Sequence, residues 1–316
     1  MQENGLAHRQ QKDWMITVIG RTGVKEALGP VAAILRGAGL ELSQIEPLSG
    51  ANVGVDGYAC AVLHAHGELS DEARMRSDFL ALADAIAVDV AMQRASEYGG
   101  KRRLFVFDMD STLIQGEVID ELAKMAGVSD RVVAITASAM RGEIEFQESF
   151  RRRVALLAGL PGERARELLE QIPLMEGAER LFRTVKKRGA KTAILSGGFT
   201  FFGAHLKEIL GVDHVYANEL EVAADGSVSG AVTGGIVDGA RKAELLKEIA
   251  VSEGVLLEQV VAVGDGANDL PMLGLAGMGV AFHAKPLVRA SAKFSMTHVG
   301  LDGLLYLLGI PDWEWS

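Results

Sequence analysis

Residues 104–112 read LFVFDMDST, and our prediction of the fold starts from them. Its first four residues are apolar and lead directly into two carboxylates, Asp108 and Asp110. Two further short, largely apolar runs occupy 192–195 (TAIL) and 260–263 (VVAV). Strands without a polar face are buried on both sides, which is typical of a parallel sheet covered by helices. The sequence therefore predicts an α/β fold with a Rossmann-like parallel core.

Polar or glycine-rich residues follow each of these three strands. They are Asp108, the SGG of 196–198 and the GDG of 264–266. In open α/β sheets ligands bind beyond the carboxyl ends of the strands. We therefore expect these three segments to converge on one site.

A long insertion separates the first two strands of this core. Residues 117–171 are helical in pattern and contain no strand candidate, and this is too long for an ordinary strand-to-helix connection. We expect a helical cap at about 115–175. A core helix should follow at 176–189, and a hairpin at 216–237 should turn at Asp225-Gly226.

The N-terminal part alternates differently, in the order βαββαβ. Strands are predicted at 14–20, 40–48, 58–65 and 88–95, and helices at 24–39 and 71–86, the second capped by Ser70. This order is that of a ferredoxin-like plait. The paired glycines Gly99-Gly100 indicate a linker. We thus expect a flexible tail at 1–12, one domain at 13–96 and a second domain at 97–316 that carries the cap.

Composition excludes several classes of protein. The 316 residues carry a net charge of −10, which disfavours nucleic acid and anionic membranes as partners because both attract positive charge. A single cysteine excludes an internal disulfide framework and fits a reducing compartment. No apolar run reaches the ~18–20 residues of a membrane span. We expect a cytoplasmic protein.

Four carboxylates, Asp108, Asp110, Asp265 and Asp269, follow two of the core strands. Clustered carboxylates raise one another's pKa unless a cation intervenes, and an oxygen-rich pocket suits Mg²⁺. A divalent cation would also allow the acidic site to accept a phosphate. Simpler interpretations are open: a D-x-D pair can be a solvated strand end, and Asp269 can cap the helix that begins at 270.

Two further segments could contact a phosphate. Ser196 with its neighbouring glycine amides could cradle a phosphate oxygen, although a strand-to-helix turn alone explains the same residues. Lys242 opens a helical segment, where a lysine is most often solvated. Within the site it would balance the phosphate charge.

The series DMDST, SGG, Lys242 and GDGAND resembles the haloacid-dehalogenase-type phosphatase superfamily in all four of its motifs, and within it the phosphoserine phosphatase family. The resemblance covers about 102–310 and includes MRGE at 140–143 and FQESFRRRV at 146–154. The preceding plait resembles an ACT-type regulatory domain. The Asp-x-Pro-Gly-like turn common in such domains is replaced here by RTGV at 21–24.

The resemblance implies a role for each motif residue. Asp108 would be the nucleophile and Asp110 the general acid and base. Mg²⁺ would be bound by Asp108, the backbone carbonyl of Asp110 and Asp265, with Asp269 in support. The residues implied to contact substrate are Ser196, Gly197, Lys242 and Asn268 for the phosphate, and Glu117 and Arg153 for the ammonium and carboxylate, under an apolar lid of Met140 and Phe146.

Purely structural roles are also open for the cap residues. Arg153 belongs to an arginine triplet that can simply form a charged helix face, Glu117 suits the first turn of a helix, and Met140 and Phe146 suit core packing.

The function implied is Mg²⁺-dependent hydrolysis of O-phospho-L-serine to L-serine through an aspartyl-phosphate. The alternatives are another small phosphomonoester, phosphoryl transfer to an acceptor alcohol, or an inactive amino-acid-sensing regulatory protein. An ACT-type domain further implies L-serine as an effector and a homodimer.

Overall fold

The computed structural model describes residues 13–50 and 57–316, so the predicted tail at 1–12 lies outside the described residues. Its contacts divide the chain into two compact units. The first unit contains the described residues up to Arg102 together with Glu176–Arg188 and Val280–Ser316, and the second contains Arg103–Met175 and Gly189–Gly279. The boundaries predicted for the domains stay a prediction.

The first unit is built on a four-stranded antiparallel sheet. Its strands are β1 (Asp13–Gly20), β2 (Glu41–Pro47), β3 (Ala59–His66) and β4 (Asp89–Arg94), and its first helices are α1 (Val24–Gly37) and α2 (Glu72–Ile86). The strand order β2-β3-β1-β4 confirms the ferredoxin-like plait. Helix α2 is capped by Asp71, whose side chain accepts a hydrogen bond from the Arg74 N–H. The cap predicted at Ser70 was therefore one residue early.

Both faces of this sheet are buried along its central strand β1, whereas the edge strand β2 is largely exposed. Alternate residues of β1, including Trp14 and Ile16, pack in the core with α1 and α2, as period-two alternation requires. The other face meets the C-terminal part of the unit, where Gln93 donates to the Leu307 carbonyl at 2.7 Å. The unit also contains α7 (Ala178–Lys187), α11 (Pro286–Ser291), β11 (Phe294–Met296), α12 (Leu304–Leu307) and, from Val280 onward, the end of β10 (Met278–Phe282).

The second unit contains the predicted parallel core. Its strands are β5 (Leu104–Phe107), β6 (Lys191–Phe199), β7 (His214–Val222), β8 (Val228–Thr233) and β9 (Val260–Gly264), in the order β9-β5-β6-β7-β8. Strands β9, β5, β6 and β7 are parallel, and β8 returns antiparallel as the predicted hairpin. Every residue of β5 and β9 is buried. The α/β fold class is thus confirmed.

The insertion between β5 and β6 is helical, as predicted. It contains α3 (Val118–Met125), α4 (Ser129–Met140), α5 (Phe146–Ala155) and α6 (Gly162–Gln171); the other helices of this unit are α8 (Thr200–Leu210), α9 (Gly239–Ser252) and α10 (Leu270–Leu275). Among the described residues no helix has the combination of length and apolar character that a bilayer crossing requires.

The register of the core strands determines where the site forms. Phe107 of β5 pairs with Ile194 of β6 on one side and with Val263 of β9 on the other. The residues that follow these three positions therefore emerge at the same edge of the sheet.

Candidate active site at the carboxyl edge of the parallel sheet

A buried lysine joins two of the predicted carboxylates. Lys242, in the first turn of α9, is 0% exposed, and its Nζ lies 2.7 Å from Asp108 Oδ1 and 2.7 Å from Asp269 Oδ1. Burial works against the charged form of Lys242, but the two carboxylates outweigh it and raise its pKa. The simpler interpretation, in which Lys242 is a solvated surface residue, is therefore wrong.

Asp108 itself lies directly after β5 and is buried. Burial, reinforced by the charge of Asp269, raises the pKa of Asp108 well above its usual range, while Lys242 acts in the opposite direction. Lys242 and the Met109 N–H both bond Oδ1 of Asp108. Its Oδ2 has no hydrogen-bond donor among the described residues, so this oxygen is the one left for a ligand.

Asp110 has a different environment, two residues further on. The N–H of Val118, at the start of α3, donates to Asp110 Oδ1 at 3.0 Å. Burial, followed by the nearby charge of Glu117, raises the pKa of Asp110 to about 8. At neutral pH this carboxyl group is largely protonated, which is what a general acid requires.

Three carboxylates form a group that could bind a metal ion. Single oxygens of Asp108, Asp265 and Asp269 lie within 4.8 Å of one another. Burial, and next the charge of Asp269, raise the pKa of Asp265 to about 7. Lys242 can balance only one of the three charges, so the donor set fits a hard divalent cation. Both oxygens of Asp269 already accept hydrogen bonds, from Lys242 and from the Gly266 N–H, which leaves Asp108 and Asp265 as the better ligands.

The segment after β6 lies against this group of carboxylates. Ser196 is fully buried, and its Oγ accepts the Gly198 N–H at 2.8 Å, so the hydroxyl hydrogen remains available to donate. A Cβ placed on Gly198 would lie 2.5 Å from Asp110 Oδ2. Only glycine therefore allows the backbone to approach the general-acid candidate so closely.

Asn218, a buried residue of β7, was missed by the sequence analysis. Its Nδ2 donates to the Gly197 carbonyl at 2.8 Å, and its Oδ1 accepts the Val237 N–H at 2.9 Å. It thereby ties the glycine segment to the chain that enters α9. Asparagine is depleted in strands, so its presence within a predicted strand was the feature of the sequence that could have identified Asn218 as a site residue.

Asn268 lies in the loop after β9, close to two glycines. A Cβ on Gly239 would lie 2.6 Å from the Asn268 carbonyl, and one on Gly266 would lie 2.2 Å from Asn268 Oδ1. The loop that carries Asp265 and Asn268 thus packs tightly against the start of α9. Contact of Asn268 with a phosphate stays a prediction.

The two polar cap residues point to a common region. Ser111 donates to Glu117 at 3.1 Å. Burial lowers the pKa of Arg153, while Glu117, Asp120 and Asp110 act against that effect, so these acids face the guanidinium. The Nε of Arg153 is buried and has no hydrogen-bond partner in the described part of the chain. Within the arginine triplet, Arg153 is half-buried, whereas Arg151 and Arg152 are exposed.

The two apolar cap residues differ in exposure. The ring of Phe146 stacks on Phe150 with centroids 6.3 Å apart, and its Cζ lies 3.4 Å from where a Cβ on Gly197 would be. Met140, at the end of α4, is 66% exposed. Phe146 therefore lies beside the glycine segment, and the predicted lid role of Met140 stays a prediction.

Comparisons with known proteins agree with this geometry. The model of the haloacid dehalogenase-like hydrolase family matches residues 105–274. A phosphoserine phosphatase of Archaeoglobus fulgidus is 46% identical over 241 residues, which are 76% of this chain and 70% of the relative.

Two solved structures are also similar. A probable phosphoserine phosphatase from Vibrio cholerae, in unliganded form, has a TM-score of 0.76 and 35% identity, covering 97% of this chain and 89% of that one. A phospho-aspartyl intermediate analogue of phosphoserine phosphatase has a TM-score of 0.61 and 42% identity, covering 66% and 99%. The family predicted from the four motifs is thereby confirmed: this chain belongs to the phosphoserine phosphatase family of the haloacid dehalogenase-like hydrolases.

Proposed function

We propose that this chain hydrolyses O-phospho-L-serine to L-serine and phosphate with Mg²⁺ as cofactor and an aspartyl-phosphate as intermediate. The observation that carries the proposal is the contrast between two neighbouring carboxyl groups. Burial raises the pKa of both groups, but Asp108 has the Lys242 ammonium at 2.7 Å to stabilise its anionic form, whereas the charge of Glu117 adds to the shift at Asp110, whose pKa is about 8. One group is thus suited to attack as an anion and the other to deliver a proton.

Asp108 is the nucleophile in this mechanism. A carboxylate oxygen of Asp108 forms a bond to phosphorus while the bond from phosphorus to the serine oxygen breaks, and that oxygen leaves with the electron pair. Lys242 balances the negative charge of Asp108, which allows an anionic ester to approach.

Asp110 acts as acid and then as base. Because the Val118 N–H occupies Oδ1, the proton resides on Oδ2, from which it passes to the departing serine oxygen. In the second step the same oxygen accepts a proton from the water that attacks phosphorus. The bond between Asp108 and phosphorus then breaks, and free phosphate leaves.

Mg²⁺ would be held by Asp108, the backbone carbonyl of Asp110 and Asp265, with Asp269 fixing Lys242 beside them. When bound, the ion supplies positive charge that stabilises the transferring phosphoryl group. The net negative charge of the carboxylate group supports a divalent ion.

Substrate contacts divide into two sets. The Ser196 hydroxyl, the Gly197 amide, Lys242 and Asn268 would bind the phosphate oxygens. Glu117 and Arg153 would bind the ammonium and the carboxylate, and the unpartnered buried Nε of Arg153 supports an acceptor supplied by the substrate. Phe146 and Met140 would exclude water.

For the first unit we propose an ACT-type regulatory role, with L-serine as effector and pairing of two copies. The βαββαβ order supports this assignment. Size-exclusion chromatography with multi-angle scattering, with and without L-serine, tests it; a monomer whose elution and phosphate release ignore L-serine contradicts it. Cytoplasmic location stays a prediction from composition.

The direct test is phosphate release from L-phosphoserine with Mg²⁺, with EDTA, and after substitution. We expect Asp108→Asn to abolish turnover while the variant still folds, and the control variant Asp130→Asn, at an exposed position, to remain active. Release that persists in EDTA contradicts the metal, and near-normal turnover by Asp108→Asn contradicts the nucleophile. A panel of other phosphomonoesters and acceptor alcohols distinguishes the remaining phosphatase and transferase alternatives.

A further inference from the structure

Two side chains from distant parts of the second unit meet beside the glycine segment. Gln147 lies in the first turn of α5, and Asp238 immediately precedes α9. Gln147 Nε2 donates to Asp238 Oδ2 at 2.7 Å, across 91 residues of sequence. Arg151 donates to Gln147 Oε1 at 3.4 Å, a long hydrogen bond that favours the amide orientation with its nitrogen toward Asp238.

Asp238 is a fixed and ionised acceptor. Its Oδ1 accepts the Arg241 N–H at 2.9 Å, so the residue is the N-cap of α9, and its carbonyl accepts the Lys242 N–H. The hydrogen bonds from the Arg241 N–H and then from Gln147 lower the pKa of Asp238. The bond from Gln147 is therefore charge-assisted, and such bonds are about twice as strong as neutral ones.

The neighbours of this pair belong to the proposed substrate site. Phe146, which precedes Gln147, approaches Gly197. The N–H of Val237, which precedes Asp238, donates a hydrogen bond to Asn218. Arg153 lies six residues beyond Gln147 on α5, about 9 Å along the helix axis. One hydrogen bond thus joins the helix that carries the substrate arginine to the helix that carries Lys242.

We propose that the Gln147–Asp238 hydrogen bond is a latch that holds α5 in register with the catalytic core, so that Gln147 is a positioning residue for substrate selection. The latch rests on the proposed function, because its effect is exerted through Arg153. When it opens, α5 loses its polar attachment to the α9 N-terminus. Recognition of the amino-acid part of the substrate is then weakened more than the chemistry at phosphorus.

Exchanging the amide and carboxylate groups between positions 147 and 238 tests the latch. Gln147→Glu places two carboxylates against each other, and we expect kcat/KM for L-phosphoserine to fall about tenfold or more, mainly through KM. Asp238→Asn keeps the N-cap and can still pair with Gln147 after its amide rotates, so it should remain within about threefold of the unmodified chain. The double variant restores a donor opposite an acceptor and should recover to the same range.

Two controls separate the latch from general damage. Gln171→Glu makes the same chemical change at the exposed end of α6 and should have no effect. For an aryl phosphate, which has no ammonium or carboxylate, Gln147→Glu should lose much less of its kcat/KM. Equal losses on both substrates, or a double variant as poor as Gln147→Glu, would overturn the proposal.

Hydrogen exchange of residues 146–155 supplies a readout that needs no substrate. Exchange should rise in Gln147→Glu and return to the original level in the double variant; unchanged exchange in all variants contradicts the latch. An unmodified chain that releases no phosphate from L-phosphoserine would instead contradict the proposed function, so the two failures are distinguishable.

Discussion

Gly198→Ala is expected to damage catalysis with little change in the backbone. Gly198 is not among the glycines with positive φ, so alanine can adopt its conformation. The new methyl group would lie 2.5 Å from Asp110 Oδ2 and 2.7 Å from Met109 Cε. Met109 ends in a flexible side chain and can move, whereas Asp110 is held by the Val118 N–H.

The expected loss follows from this distance. Asp110 Oδ2 must withdraw by about 0.9 Å to reach ordinary van der Waals contact. A displacement of about 1 Å at a reacting group costs on the order of 10²-fold in rate, or about 2.7 kcal/mol in activation free energy. Overpacking that local movement does not relieve typically destabilises a fold by about 1–3 kcal/mol.

Single-turnover phosphate release from L-phosphoserine measures the effect on the chemical step, and urea unfolding measures the effect on stability. Gly274→Ala is the matched control, because a Cβ there meets no atom within 4 Å. We expect that control to match the unmodified chain. A Gly198→Ala variant within about threefold of it in rate would refute the assignment of Asp110 as a positioned acid.

Three further outcomes are expected. Arg153→Ala should raise KM for L-phosphoserine about 10- to 100-fold and change KM for an aryl phosphate far less, and equal changes would remove Arg153 from substrate recognition. Asn218→Ala leaves the Gly197 carbonyl and the Val237 N–H without these hydrogen-bond partners. The free energy of unfolding in urea should therefore fall by about 1–3 kcal/mol for each group, and phosphate release should slow. An unchanged midpoint of urea unfolding would contradict this role of Asn218. Because the pKa of Asp265 is raised to about 7, Mg²⁺ must displace a proton from Asp265 at lower pH. The apparent affinity for Mg²⁺ should therefore fall by up to about tenfold per pH unit between pH 7 and pH 5.5. Calorimetry in buffers of different ionisation enthalpy should detect the released proton, and pH-independent binding would contradict the assignment of Asp265 as a ligand.

The elements themselves were predictable because each depends on short-range pattern. The apolar run that forms β5 is buried on both faces, and a strand of that kind has few other places in an α/β fold. The helical insertion and the hairpin turning at Asp225-Gly226 were equally local: Gly226 has φ of 84°, and Asp225 accepts from Ser227. The cap of α2 was displaced by one residue because Ser70 and Asp71 are both good caps.

The parallel core, the plait and the acidic residues at the strand ends were predictable from the sequence, since hydrophobic periodicity and motif order are properties of the chain. The folded structure was needed to show that Lys242 is buried between two carboxylates, that Asn218 bridges two loops, and that Gln147 donates to Asp238. Each of these contacts joins residues more than twenty positions apart or depends on a loop's path, and packing and desolvation in the folded protein fix such contacts rather than any local preference.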